Sequence, residues 1–574
     1  MSTSRRANAT TLKPKVASTN RWPNNKRNQR VQQIKHLTAA ILIAFSAAGA
    51  YAQTQAPAPA IAAIAPASAY DLEQDVTRTM KAFDVPGIAI AVVKDGQVIA
   101  ARGFGVRKLG EPAKVDGKTL FEIASNSKAF TAAALAMLVD EGKLKWDDPV
   151  VKHLPDFQMY DAYVTREMTV RDLLTHRSGL GLGAGDLLWW PTTNFSTDEI
   201  IEKLRYIRPA TSFRSSYAYD NLLYIVAGKI IAQKSGKSWG DTVRERILTP
   251  VGMSTTTTSL AENAGNPNAS NAHSKIKDKI SAVKSMPVAN AVGAVGINTN
   301  AEDIAKWMQV LLDGGRVAGA KGADGKELRL WSEAQSREMW TAQTPMKINT
   351  PKGPLASTKP NFYAYGLGFQ LRDYKGQLVA MHGGALQGFY SRVLLVPESK
   401  LGIAILTNAE SGGALSALQY RLMDQYMTGS TPTDWIKLVA DVEEEAHAKE
   451  LARLKSASTT RASTSKPSLA LSAYEGQYED PWYGIMNVKR NGNKLVMSFS
   501  KTPDLTGEME HFQHDTFIVR WKERNFNADA YATFSLDHDG SIDHVKMKAV
   551  SEETDFSYDF HDLLFTPVKA AAKK

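Results

Sequence analysis

Strand-forming residues gather at the two ends of the segment between about residues 86 and 406, and helical periodicity dominates between them. Pro86-Gly87 opens an apolar run to Val93, Asp95-Gly96 supplies a tight turn, and Val98 to Phe104 returns, which predicts a β-hairpin. From Ser125 the period lengthens. Phe130, Ala134, Met137 and Leu138 recur at helical spacing, and Gly142 stands where a helix stop belongs. Further helices are expected at Val170–His176, Leu222–Lys234 and Ala301–Leu312. Strands return at Leu378–His382, Tyr390–Pro397 and Leu401–Leu406. Strands at both ends with helices between them indicate an α+β domain.

Beyond residue 430 the texture changes. Asp441–Lys455 is a charged helical stretch with i,i+4 pairing, most simply a solvated face or spacer, and 456–466 is rich in Ser and Thr. From Ala470 short alternating runs take over at Ile485–Val488, Lys494–Phe499, Thr516–Trp521, Ala530–Leu536 and His544–Ala549. Asn491-Gly492 and Asp539-Gly540 supply turns, so a separate small all-β domain is expected over 467–568, with 569–574 as a tail. The preceding linker is 431–466 and the larger domain 70–430. At the other end, 53–69 is an uncharged Ala/Pro tract that reads as a linker.

The formal charge of +10 is misleading about partners. Nine Lys or Arg fall within residues 1–36, the first carboxylate is Asp71, and the remainder is balanced at 60 basic against 59 acidic residues. Nothing in that balance calls for nucleic acid. The basic segment is followed by an apolar run, Leu37 to Ala48, and by Ala50-Tyr51-Ala52, the three parts of a secretory signal peptide. A signal over 1–52, a periplasmic or secreted location and no stable membrane insertion are therefore expected; the run falls short of the roughly 20 residues of a span. The chain has no cysteine, which excludes disulfides and thiol nucleophiles.

The candidate nucleophile lies in Ser125-Asn126-Ser127-Lys128. The S-x-x-K spacing occurs five times, at Ser125, Ser274, Ser281, Ser463 and Ser498, but only Ser125 follows an apolar lead-in and opens a long apolar helix. There the hydroxyl sits at the positive end of a helix, and Lys128 points along the same face one turn on. A buried lysine with a lowered pKa can take the hydroxyl proton. Tyr219-Asp220-Asn221 is the chain's single Y-x-N. It precedes a helix, where the phenol can shuttle a proton and Asn221 can hold a substrate amide or simply cap the helix. His382-Gly383-Gly384 ends an apolar strand, where glycines let a substrate backbone approach. Trp189-Trp190 is expected in a cleft-side loop, as a pocket wall or as ordinary packing.

Taken in order, S-x-x-K at 125, Y-x-N at 219 and H-x-G at 382 resemble the signature of the penicillin-recognising serine hydrolases: class C β-lactamases, D,D-peptidases, D-aminopeptidases and related esterases. The segments 121–144, 169–180, 219–240, 294–315 and 382–408 also look like this family's. The resemblance implies an antiparallel sheet flanked by helices with a helical subdomain, and an acyl-enzyme on Ser125 assisted by Lys128, Tyr219 and His382. It implies an oxyanion hole from the backbone N–H groups of Ser125 and Ala385, worth ~3 kcal/mol per donor. No cofactor or metal is implied. Histidine at 382 replaces the lysine usual in β-lactamases, which favours the aminopeptidase and esterase branches and puts recognition of a substrate carboxylate in doubt. The segment 467–568 resembles the lipocalin-like β-domain of some peptidases in this group, and tilts the expected substrate toward amide bonds of short peptides, including D-residue peptides. A carboxylesterase, a β-lactamase, or a penicillin-binding sensor without turnover are the alternatives. Oligomeric state is left open.

Two other motifs carry less. Gly236-Lys237-Ser238-Trp239-Gly240 matches G-x-S-x-G, but a helix runs into it, so Gly236 reads as a helix stop rather than part of a nucleophile elbow. His176 is expected to hold the loop at Ser178-Gly179, and no H-E-x-x-H is present.

Overall fold

The computed structural model describes residues 70–568, apart from Ala323, Lys352 and 461–463. The expected signal peptide, the Ala/Pro linker, Ser463 and the tail 569–574 lie outside those residues. The described residues from Asp71 onward form one compact unit.

An eight-stranded antiparallel sheet organises the larger domain. Its strands are β1 (Gly87–Lys94), β2 (Gln97–Gly105), β3 (Thr344–Pro345), β4 (Tyr363–Tyr365), β5 (Gln370–Tyr374), β6 (Gln377–Leu386), β7 (Phe389–Val396) and β8 (Leu401–Thr407), in the order β2-β1-β8-β7-β6-β5-β4-β3. The first hairpin turns on Asp95 and Gly96, both at positive φ, as a two-residue turn matching strand twist requires. The second, Leu386 to Phe389, brings the C-terminal strands back so that β8 pairs with β1 from Ile88↔Thr407 to Lys94↔Leu401. Strands β1 and β8 are buried almost throughout, because helices cover both faces: Ala301–Leu312 on one side, Gly412–Thr428 on the other.

Between β2 and β3 the chain builds the helical part. Its centre is Ser127–Asp140, in which twelve of fourteen residues are buried, so the helix is apolar all round rather than amphipathic. Leu222–Ser235 packs against it and is nearly as buried. The helix expected at Val170–His176 is not formed. Only one tight turn, Asp172–Leu174, is present, because the Asp172 carboxylate accepts from Thr169 N and Oγ1 and pairs with Arg177 and Arg214. Those bonds compete with helix propagation, and His176 adopts φ 53°.

The C-terminal segment closes into an eight-stranded antiparallel barrel running from Gly476–Asp480 to Leu564–Pro567. Alternating burial, as in Lys494–Phe499, puts one face inside. That interior is filled by rings: Tyr483 meets Phe499 at 5.0 Å, and Phe499 meets Phe565 at 5.7 Å. Side chains fill the barrel as a packed core. The charged helix is Trp435–Thr460, and the reading as a solvated spacer holds only for its middle. Trp435, Ile436 and Val439 are buried at one end, while Glu450 accepts from Ser551 Oγ and Glu552 N of the barrel at the other.

Candidate active site

The turn carrying Ser125 is wound tightly before the long helix begins. Ala124 sits at φ 49°, an uncommon conformation for a residue with a Cβ, and Ala124–Asn126 forms a 3₁₀ turn leading into Ser127–Asp140. Lys128, one turn on and fully buried, brings its Nζ to 2.9 Å from Ser125 Oγ. The same ammonium donates to Asn221 Oδ1 at 2.7 Å and lies over the rings of Tyr219 and Tyr224 at 4.9 and 5.2 Å. Burial lowers its pKa to about 7, against the opposing pull of the Asp186 and Asp220 carboxylates.

Tyr219 hydrogen-bonds toward Ser125, and desolvation pushes its phenol well above 10, so it stays protonated at neutral pH. His382 is buried. Its Nδ1 faces Gly383 O at 2.6 Å and its Nε2 faces the Tyr365 hydroxyl at 2.8 Å. The carbonyl can only accept, so Nδ1 carries the hydrogen and Nε2 accepts from Tyr365. Burial, with the nearby Lys128 charge, lowers the His382 pKa to about 3, which leaves the ring neutral. Ser125, Tyr219, Asn221, His382, Gly383, Gly384, Ala385, Trp189 and Trp190 all border one cavity of about 410 Å³; Lys128 lies beneath it. Gly384 is there for a steric reason: a Cβ would lie 2.1 Å from the backbone O of Ile123, the residue that caps the turn carrying the serine.

The other S-x-x-K serines go elsewhere. Ser274 and Ser281 lie on a small hairpin, Ser274 donating to Glu410, and Ser498 lies on a barrel strand. Ser238 caps the helix Trp239–Val243 after the left-handed Gly236, so the G-x-S-x-G run is a helix stop and a helix start. His176 is buried beside the site; Asp220 N donates to its Nδ1 at 3.2 Å, and its ring meets Tyr219 and Tyr365 at 4.3 and 4.4 Å. Among the described residues no group of three or more His, Asp or Glu side chains is arranged to hold a metal ion.

No local motif signals the barrel's part in this cavity. Asp555, Phe556 and Ser557, from the segment before the last barrel strand, form one wall, and Phe556 meets the Tyr219 ring edge-on at 5.9 Å. Ser557 Oγ donates to Asp186 Oδ2 at 2.9 Å, and Asn221 Nδ2 donates to the same oxygen at 2.8 Å. Trp189 Nε1 donates to the other oxygen at 2.8 Å. The turn holding Asp186 is itself clamped, since Gly185 N and Leu187 N both donate to Asp559, at 2.6 and 3.2 Å. A continuous chain therefore runs from the barrel through Asp186 and Asn221 to Lys128. Positions 186 and 557 stand 371 apart, and no spacing pattern could have joined them.

Known proteins resemble this chain over much of its length. The Beta-lactamase family model covers residues 72–428, and a Domain of unknown function (DUF3471) covers 460–567. The chain is 28% identical over 493 residues to unguisins hydrolase ungD' of Aspergillus campestris, covering 82% of this chain and 88% of the relative. It is 26% identical to Protein flp of Staphylococcus aureus, over 57% of this chain and 60% of that one. The octameric penicillin-binding protein homologue from Pyrococcus abyssi shares the fold at a TM-score of 0.52 and 21% identity, covering 86% of this chain and 99% of that one.

Proposed function

The chain belongs to the β-lactamase family of hydrolases, and from that premise we propose that it is an exported serine hydrolase that cleaves amide bonds of short peptides through an acyl-enzyme on Ser125. The observation that carries the reading is the 2.9 Å contact between Ser125 Oγ and a buried lysine whose pKa is brought to about 7. At neutral pH about half of Lys128 is then unprotonated and able to accept the hydroxyl proton. Tyr219, held as a phenol, is placed to pass a proton to the leaving group and recover one from Lys128. The N–H groups of Ser125 and Ala385 face the position of the oxyanion in this reading, and the edge of β6 beyond Met381, which β5 does not pair, is free to take an extended substrate backbone.

Peptides are favoured over β-lactams because His382 is neutral and adds no charge to the cavity. The relatives named as unguisins hydrolases align over 82% and 78% of this chain, more than the larger domain alone. Export is proposed from the basic, apolar and Ala-x-Ala order of the first 52 residues.

The test compares the mature protein with Ser125→Ala on a short D-amino-acid peptide, a short-chain nitrophenyl ester and a chromogenic cephalosporin. Serine-dependent cleavage fastest on the peptide supports the proposal. Activity confined to the ester or the cephalosporin moves the chain to another branch of the family, and full activity in the variant removes Ser125 from the mechanism.

A further inference from the structure

A second cavity, of about 250 Å³, opens beside the short strand Phe121–Glu122 that leads to the nucleophile, and no residue lining it borders the active-site cavity. Glu122 lines it at only 5% exposure, opposite Asn298 in the strand pairing. The backbone beside that carboxyl is pinned. Ile123 N donates to Ile297 O at 3.1 Å, and Ile123 O accepts from Ser391 Oγ at 2.8 Å. Glu122 is therefore held at the cavity wall, shortly before Ser125 in the chain.

Glu122 has no countercharge. Its Oε1 is buried without a hydrogen-bond partner, and among the described residues no Lys, Arg or His forms an ion pair with it. Burial raises its pKa to about 7, opposed by a hydrogen bond from Ser285. A carboxylate taken out of water is costly unless it is paired. The other polar side chains of the cavity, on Asn263, Ser270 and Ser285, are neutral, so the missing partner must come with the ligand.

Size and lining decide which cation fits. A bare ion would leave most of the cavity empty, since one water occupies only about 30 Å³. Leu120, Leu260 and Phe389 give the cavity an apolar side, which suits an aliphatic body rather than a hydrated metal ion. We infer that the cavity is a binding site for a short aliphatic ammonium ion, its head paired with Glu122 and its chain packed against Leu120, Leu260 and Phe389. The inference stands apart from the hydrolase reading, because no residue of the serine site takes part. A charge-assisted hydrogen bond to a buried carboxylate is strong enough to favour the ammonium over its uncharged alcohol isostere by about 10- to 100-fold.

The experiment titrates the full chain with n-butylamine, 1-butanol and potassium chloride by calorimetry at pH 8, where the amine is charged and Glu122 is ionised. The wild type is compared with Glu122→Gln, which keeps the shape and removes the charge. It is also compared with Ala264→Trp, which plugs the cavity at an exposed lining residue and leaves the carboxyl in place. The expected result in the wild type is one butylammonium bound per chain, about tenfold or more tighter than butanol, with potassium unable to displace it. Glu122→Gln should bring the two ligands to near equality, and Ala264→Trp should abolish binding of both. Undetectable butylammonium binding, binding unchanged in both variants, or displacement by potassium at equal concentration overturns the inference. If Glu122→Gln does not fold, Ala264→Trp decides: binding lost there supports the site, and binding kept there places the amine elsewhere and refutes it.

Discussion

The lysine beneath Ser125 makes a quantitative demand on the pH dependence of catalysis. With its pKa lowered to about 7, the neutral fraction of Lys128 is about one half at pH 7, about one tenth at pH 6 and about one hundredth at pH 5. On the Ser125-dependent substrate, kcat/KM should therefore rise about tenfold per pH unit below 6 and level off above 8. Neither His382 nor Tyr219 supplies that limb. His382, at about 3, has lost its proton already, and Tyr219 holds its own well above 10. Asp186 also lies near 7 and its charge acts on Lys128, so the apparent value belongs to the pair. The sign of the coupling is definite: an ionised Asp186 favours protonated Lys128, so Asp186→Asn should move the limb to lower pH. Lys128→Arg, which cannot lose its proton, should abolish activity across the range. The assay is initial-rate kinetics from pH 4.5 to 9, repeated on His382→Asn to show that the limb is not a histidine's. A flat profile between pH 5 and 8, or a limb above pH 9, would mean that Lys128 is not the base.

Lys128 also bears on stability. Its folded pKa lies below the unfolded value of 10.5, so between about pH 7 and 10.5 the unfolded chain holds more protons and stability rises with pH. Relative to Lys128→Met, the wild type should gain about 2 kcal/mol between pH 7 and 9 in denaturant unfolding. Asp559→Ala leaves Gly185 N and Leu187 N without their acceptor, and should cost about 1–3 kcal/mol for each group left dry. The same variant should lower kcat through the loosened turn under Asn221; intact kcat despite lost stability would show that the clamp does not reach the lysine. Gly384→Ala should abolish soluble expression or activity, because its Cβ meets backbone at 2.1 Å. Gly383→Ala, with no neighbour nearer than 3.8 Å, should fold, as circular dichroism and melting would show. Phe556→Ala, which opens the wall opposite Tyr219, should raise kcat/KM for bulky acyl groups relative to small ones. An unchanged ratio would place Phe556 outside the substrate path.

The parts legible in the sequence were those that local order encodes. The hairpin Gly87–Gly105 announced itself through Asp95-Gly96, and the buried helix after Ser125 through its apolar continuity. Strands β6 to β8 were readable for the same reason. Strands β3 to β5 were not: Thr344–Pro345 and Tyr363–Tyr365 are two and three residues long, too short for alternation to register, and they are defined by pairing, β3 with β4 and β4 with β5, rather than by their own pattern. The Val170–His176 run had helical spacing, but Asp172 is claimed by Arg177 and Arg214, and the second of these is 42 residues away.

The same limit governs the site. The three motifs brought Ser125, Lys128, Tyr219, Asn221 and His382 into view because each is a short local word. What sets their chemistry is not local. The charge state of Lys128 depends on Asp186 and on burial, the neutrality of His382 on burial and on Lys128, and the tautomer of His382 on Tyr365. The orientation of Asn221 depends on a carboxylate that the barrel helps to hold. The second domain's interior is packed with its own rings, and its contacts with the site are made at its surface. There it supplies Phe556 to the cavity wall, Ser557 to Asp186 and Asp559 to the turn below. On this architecture the hydrolase domain alone would keep its nucleophile, its base and the Asn221–Asp186 bond, but would lose the Ser557 donor to Asp186 and the Asp559 acceptor for the turn that carries it. Covalent labelling of Ser125 by a fluorophosphonate should therefore slow in Ser557→Ala, and slow further in Ser557→Ala combined with Asp559→Ala. Equal labelling rates would reduce the barrel to a bystander.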